Sequence, residues 1–167
     1  MARWRERFVF PNPVNEIAAR CVAAGVVALS LAYVVTASGW LLVPLTYGFV
    51  ARVAAGPTFS PLGRFVTGIV VPRLPVAPRL VAGPPKRFAQ GIGATLSLAA
   101  AVVHGFGGVL GAQVLVAIIV AAASLEAGLG YCLGCKMYGL LMRFGMVAET
   151  ACADCADLSR RLPVRAA

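Results

Sequence analysis

The sequence predicts an all-α protein, a four-helix transmembrane bundle with short interfacial helices, on three observations. Of the 167 residues, 60% are hydrophobic and only 13% charged, where a soluble domain carries about 25% charged residues. Four long stretches are nearly free of charge, each close to the roughly 17 to 25 apolar residues that cross a bilayer. Basic residues gather at the ends of these stretches and are missing from two of the turns between them. A spanning segment must satisfy its own backbone hydrogen bonds, and none of the four alternates as a lipid-facing barrel strand does, so helices follow.

Residues 1-16 form an N-terminal segment with Arg3, Arg5 and Arg7. A cleaved signal peptide ending at "TAS" is disfavoured, because the basic lead is long, carries Glu6 and Glu16, and feeds into a second apolar run rather than a soluble domain. The first span covers about 17-36 and the second 39-55, with Ser38-Gly39 as the break. One helix from Cys21 to Ala51 would overshoot the hydrocarbon, so a tight hairpin is expected. The second span holds Pro44 and ends with Arg52; it is expected to be kinked, short or partly re-entrant, with Arg52 snorkelling to the surface.

The connection 56-87 is rich in proline and glycine. Its "PLGRFVTGIVVPRL" portion predicts a short helix lying in the interface, with Phe65, Ile69 and Val70 toward lipid and the arginines upward. "PVAP" and "GPP" read as stiff connectors. The third span covers about 88-106 and the fourth 109-131, with "HGFGG" as the turn, which completes a membrane domain over residues 17-131. Residues 132-167 form a tail that opens with an interfacial helix, since Met137, Leu140, Leu141 and Phe144 recur at helical intervals. The glycines and alanines of "GIGATLSLAAAVVHGFGG" and "AAASLEAGLG" let helices approach closely, within one chain or in a homo-oligomer.

The net charge is +9. Arg20, the basic residues of the connection, and those after the fourth span all lie at one end of the spans, while "TASGW" and "HGFGG" carry neither Lys nor Arg. The positive-inside bias therefore puts both termini and the connection on the cytoplasmic side of the cell membrane. Charges beside spans meet anionic headgroups at about 1 kcal/mol each. The partner they predict is the lipid bilayer, and nucleic acid is not expected.

Four of the five cysteines form C-x2-C-x16-C-x2-C: Cys132, Cys135, Cys152 and Cys155. Two chemistries fit and both stay open. Paired thiolates at this spacing match a tetrahedral zinc site, and a cytoplasmic location keeps thiols reduced. The helical segment between the pairs, about 15 Å long, then needs a taut return of about 20 Å. The alternative is a dithiol that cycles through a disulfide, with the first thiol at a helix N-terminus and acidified by it and by Lys136. Glu149, Asp154 and Asp157 disfavour thiolates at the second pair. This asymmetry suits electron passage better than a symmetric metal cage. Cys21 reads as a small packing residue.

Glu126 lies within the fourth span, six positions or roughly 9 Å of helix before Cys132. An ionisable group at that depth faces protein or water and marks a functional or structural hydrogen bond. Gln90, Glu16, Arg20 and Cys21 lie at a similar depth and are its expected neighbours. In an unbroken helix Glu126 and Cys135 would point to opposite faces, so contact needs a break at Gly128 or Gly130. His104, at the far end of the third span, reads as an interfacial hydrogen-bonder.

The blocks "NPVNE", "GPTFSPLGR", "PPKRFAQGIG", "LEAGLGYCLGCKMY" and "CADC" together resemble the bacterial integral-membrane family known as domain of unknown function 4395, over roughly Pro11 to Cys155. The resemblance implies a multipass membrane protein without an established activity. Its members are similar in setting to proteins encoded beside thioredoxin-like and sulfurtransferase genes, which implies such a cytosolic partner. The function expected is thiol or sulfur chemistry: Cys132 attacks, Cys135 resolves, Cys152 and Cys155 relay electrons or sulfur, Lys136 stabilises the thiolate and Glu126 passes a proton. The rivals are a four-cysteine zinc staple in an interaction protein, and a small transporter or channel for a sulfur-containing anion with Glu126 in its path.

Overall fold

The computed structural model describes residues 10–146, and over them the fold is all-α apart from one two-residue ladder. Chain order begins with that ladder's first strand, β1 (Val14–Asn15), which runs directly into α1 (Glu16–Thr36). Asn15 caps α1 by accepting from the Ile17 backbone N–H at 3.0 Å, satisfying one of the donors a helix start leaves free. Helix α1 ends at Ala37, and a turn at Gly39–Leu41 leads into α2 (Leu42–Ala55). Pro44 lies in the first turn of α2, where its missing N–H has no helical acceptor to lose. The helix is accordingly short at 14 residues.

Helical turns continue after α2 through Gly56–Thr58, α3 (Pro61–Phe65), Val66–Val70 and Val71–Arg73. Ser60 caps α3. This segment lies against the start of α1: Val66 is buried with Ala18 and Val22, and Leu62, Val70 and Val71 pack beside them. Phe65 and Ile69 point outward, whereas Val70, expected beside them toward lipid, turns inward instead because α3 and the turn after it pack on the start of α1. The segment then extends into β2 (Leu80–Val81), which pairs antiparallel with β1, Val14 opposite Val81. The ladder ties the N-terminal segment to the end of the connection and was not foreseen, because two residues carry no period.

Helix α4 spans Gly83–Gly105, beginning five residues before the expected Phe88. "GPP" is its first turn rather than a connector, since a proline's fixed φ suits that position. Asn12 Oδ1 accepts from Gly83 N at 3.0 Å. Helix α5 covers Val109–Leu129 and α6 covers Leu133–Arg143.

Among the described residues, four helical runs are long and apolar enough to cross a membrane: Glu16–Thr36, Gly39–Arg73, Gly83–Gly105 and Val109–Leu129. Helix α1 packs chiefly on α5, α5 on α4, and α4 on α2, while α1 and α2 touch little despite their tight turn. The core joins Val26 and Tyr33 of α1, Leu45 and Phe49 of α2, Ala100 of α4 and Val116 of α5. Large apolar side chains such as Val35, Trp40, Leu98 and Leu110 point outward, which suits lipid and not water. At the end away from the cysteines, Tyr33 Oη and His104 Nδ1 are hydrogen-bonded at 3.0 Å, the role expected of His104.

Candidate functional site

The site is built where α5 ends and α6 begins. Gly130 closes α5 in a left-handed conformation, φ 67°, which a side chain would strain. The chain turns there, and Cys132 becomes the N-cap residue of α6, with Cys135 one turn inside it. Of the two positions at which a break would let Glu126 approach the cysteines, Gly128 and Gly130, the helix breaks at Gly130. Gly134, between the thiols, is buried against α4: an added Cβ would lie 2.6 Å from Ala89 Cα, so only glycine lets the motif sit this close. Tyr138 completes the docking with its ring 5.6 Å from that of Phe88. Met137, Leu140 and Phe144 are left exposed on the outer face of α6, while Leu141 is half-buried.

Arg20 of α1 holds the end of α5. Its guanidinium donates to Ala127 O at 3.2 Å and to Gly128 O at 2.6 Å, satisfying carbonyls that have no partner within the helix. A cation at a helix C-terminus also opposes the macrodipole favourably.

Beneath the thiols lies an ion pair that joins α4 to α5. Lys86 Nζ donates to Glu126 Oε1, with the two side chains only 8% and 13% exposed. Lys86, Glu126 and both thiols interact electrostatically, so the four groups form one cluster. Cys135 S–H donates to the Cys132 sulfur, which holds the Cys132 thiol below the ordinary thiol range; Lys86 acts in the same direction, while burial and Glu126 oppose both. The same hydrogen bond and burial push the Cys135 thiol up. The arrangement therefore makes one nucleophilic sulfur and one that keeps its proton.

Deeper still, Arg52 of α2 is 5% exposed. Its Nε donates to Gln90 Oε1 at 2.8 Å and its Nη1 to Ser60 Oγ at 3.2 Å, and its guanidinium carbon lies 4.7 Å from the centre of the Phe49 ring. The expectation that Arg52 snorkels to the surface is thus corrected: α3 folds back over the end of α2 and supplies Ser60, giving the guanidinium an inward partner.

Of the expected site residues, Cys132, Cys135 and Glu126 come together. Lys136 is exposed, with its ammonium 5.6 Å from the centre of the Tyr131 ring, and the cation beside the thiols is Lys86 instead. Gln90 and Arg20 belong to neighbouring hydrogen bonds rather than to Glu126. Cys21 packs with the Ala18, Val22 and Val66 cluster, as a small core residue does. Cys152 and Cys155 lie outside the described residues. Lys86 could have been found from "GPPKR", because prolines in a first helical turn put the lysine on α4 and not in a loop.

No curated protein and no solved structure matches the chain. A family match runs over residues 14–143, from β1 to the last residue of α6, and takes in every group of the cluster just described. The chain belongs to the family described as Domain of unknown function (DUF4395).

Proposed function

We propose that the protein is a thiol-active membrane protein that exchanges electrons or sulfur with a cytosolic protein through Cys132 and Cys135. The observation that carries this reading is the Cys132–Cys135 hydrogen bond at the start of α6, with Lys86 beside it. The thiolate of Cys132 attacks a disulfide of the partner, one partner sulfur leaves as a thiolate, and a mixed disulfide forms. Cys135 then gives up its proton to Glu126 and attacks Cys132 sulfur, so the partner leaves reduced by two electrons and the motif becomes a disulfide. Cys152 and Cys155, or a second dithiol protein, return the motif to the reduced state by the same exchange. Exchange is fastest when the attacking pKa lies near ambient pH.

The basic residues at this end of the bundle, among them Arg64, Arg73, Arg87 and Arg143, favour placing it on the cytoplasmic side of the cell membrane. Labelling of intact cells with an impermeant maleimide is expected to leave Cys132 and Cys135 unmodified until the membrane is opened. A Cys135→Ser variant lacks the resolving thiol and is expected to accumulate a reducible adduct with a cytosolic protein. An adduct no longer-lived than that of the wild type would count against the exchange. Zinc bound by Cys132, Cys135, Cys152 and Cys155 is the alternative chemistry, expected to give about one metal per chain by elemental analysis of reduced protein.

A further inference from the structure

Between the N-terminal segment, the start of α1, the end of α2 and α4 lies a cavity of about 170 Å³. Pro11, Pro13, Val14 and Val22 give it apolar walls, and Arg52 and Lys86 reach it, each less than a tenth exposed. Arg52 spends two of its donor nitrogens on neutral acceptors, Gln90 and Ser60, and Nη2 has no acceptor among the described residues. The carboxylate that acts on Arg52 is Glu126, and that carboxylate is already held by Lys86. Two buried cations therefore share one carboxylate, an excess that is costly unless an opposite charge accompanies it. A guanidinium edge with free N–H groups matches the paired oxygens of an oxyanion, and apolar walls strengthen the attraction. That volume is well above the roughly 10 to 15 Å³ that admits a single water, so the space has room for a tetrahedral oxyanion.

We propose that this cavity binds a small oxyanion, seated on the free edge of Arg52 and shared with Lys86. The inference goes beyond the thiol reading and stands without it. A free inorganic oxyanion and the phosphate of a lipid headgroup offer the same oxygens, and the experiment separates them.

The full chain in maltoside micelles is titrated with sodium sulfate or thiosulfate against sodium chloride at equal ionic strength, following the thermal unfolding midpoint. In a second arm the micelles are doped with phosphatidylglycerol and no oxyanion is added. A rise specific to sulfate or thiosulfate supports a free anion, and a rise on lipid addition alone supports a headgroup. Arg52→Gln is expected to weaken the response about tenfold or more, as loss of a charge-assisted partner does. Ala19→Leu narrows the cavity from α1 while leaving both cations in the chain, and is expected to abolish the response with the fold retained. Binding is expected to persist in the Cys132→Ser Cys135→Ser double variant, which keeps this test apart from the thiol reading. Responses equal to chloride in both arms overturn the proposal. So does an undiminished response in Ala19→Leu, which decides the matter where Arg52→Gln does not fold.

Discussion

Removal of one partner of the Lys86–Glu126 pair is the most direct perturbation of the site. The two side chains are 8% and 13% exposed and in hydrogen-bond contact, so solvent screening between them is weak. At an effective dielectric near 20, unit charges at an ordinary hydrogen-bond separation of about 2.8 Å attract by about 6 kcal/mol. Most of this offsets desolvation, and the large penalty arises when one charge is left alone: breaking a buried pair costs about 3 to 5 kcal/mol. Lys86→Met and Glu126→Gln are each expected to lose stability in that range, while the double variant, which strands neither charge, is expected to lose less than either single one. Unfolding of detergent-solubilised protein in increasing denaturing detergent gives the four stabilities of the cycle. Alkylation of Cys132 in the same samples reports whether the thiols feel the change. Single losses that simply add in the double variant, within about 0.5 kcal/mol, would refute the pairing.

Cys132 is held below the ordinary thiol range, so its alkylation rate is expected to climb with a midpoint lower than that of an ordinary cysteine, the thiolate being the reactive form. Cys135→Ala removes the larger cause and should move that midpoint up the more; Lys86→Met should move it up less, and an unshifted midpoint in both would contradict the assignment. Because a lowered thiol favours the folded thiolate, its contribution to stability is present above the ordinary thiol value and is lost as pH falls through the lowered one. Gly134→Ala would drive a methyl group into the Ala89 backbone and is expected to cost about 1 to 3 kcal/mol, measured as lost thermal stability together with a Cys132 midpoint nearer the ordinary value. Arg20→Met withdraws the donors from Ala127 and Gly128; a loss of about 1 to 2 kcal/mol and faster amide hydrogen exchange at the end of α5 are expected.

Much of the site followed from local pattern. A glycine break before the cysteines, a thiol at a helix start, and Glu126 close beneath it were all legible in "LEAGLGYCLGC", because each depends on residues within two turns of one another. The identity of the nearby cation was not. Lys136 adjoins Cys135 in sequence, but on a helix adjacent positions diverge by about 100°, so its side chain leaves the cluster, while Lys86 comes from another helix altogether. The inward turn of Arg52 was likewise hidden, since an arginine ending an apolar run looks the same whether its head meets water or a serine on a returning segment.

Composition along the chain, by itself, determined the helical class, the four apolar runs and the amphipathic helix after the last of them. Hydropathy and period are sums over neighbours in sequence, and burial of a backbone in lipid leaves little choice but helix. Tertiary structure alone decided which helices touch, that Lys86 answers Glu126, and that Arg52 faces a cavity. Those outcomes depend on how four apolar rods rotate about their axes as small residues let them close, and the rotation is set by packing between segments 30 or more residues apart, as the Arg52–Gln90, Lys86–Glu126 and Arg20–Gly128 bonds illustrate.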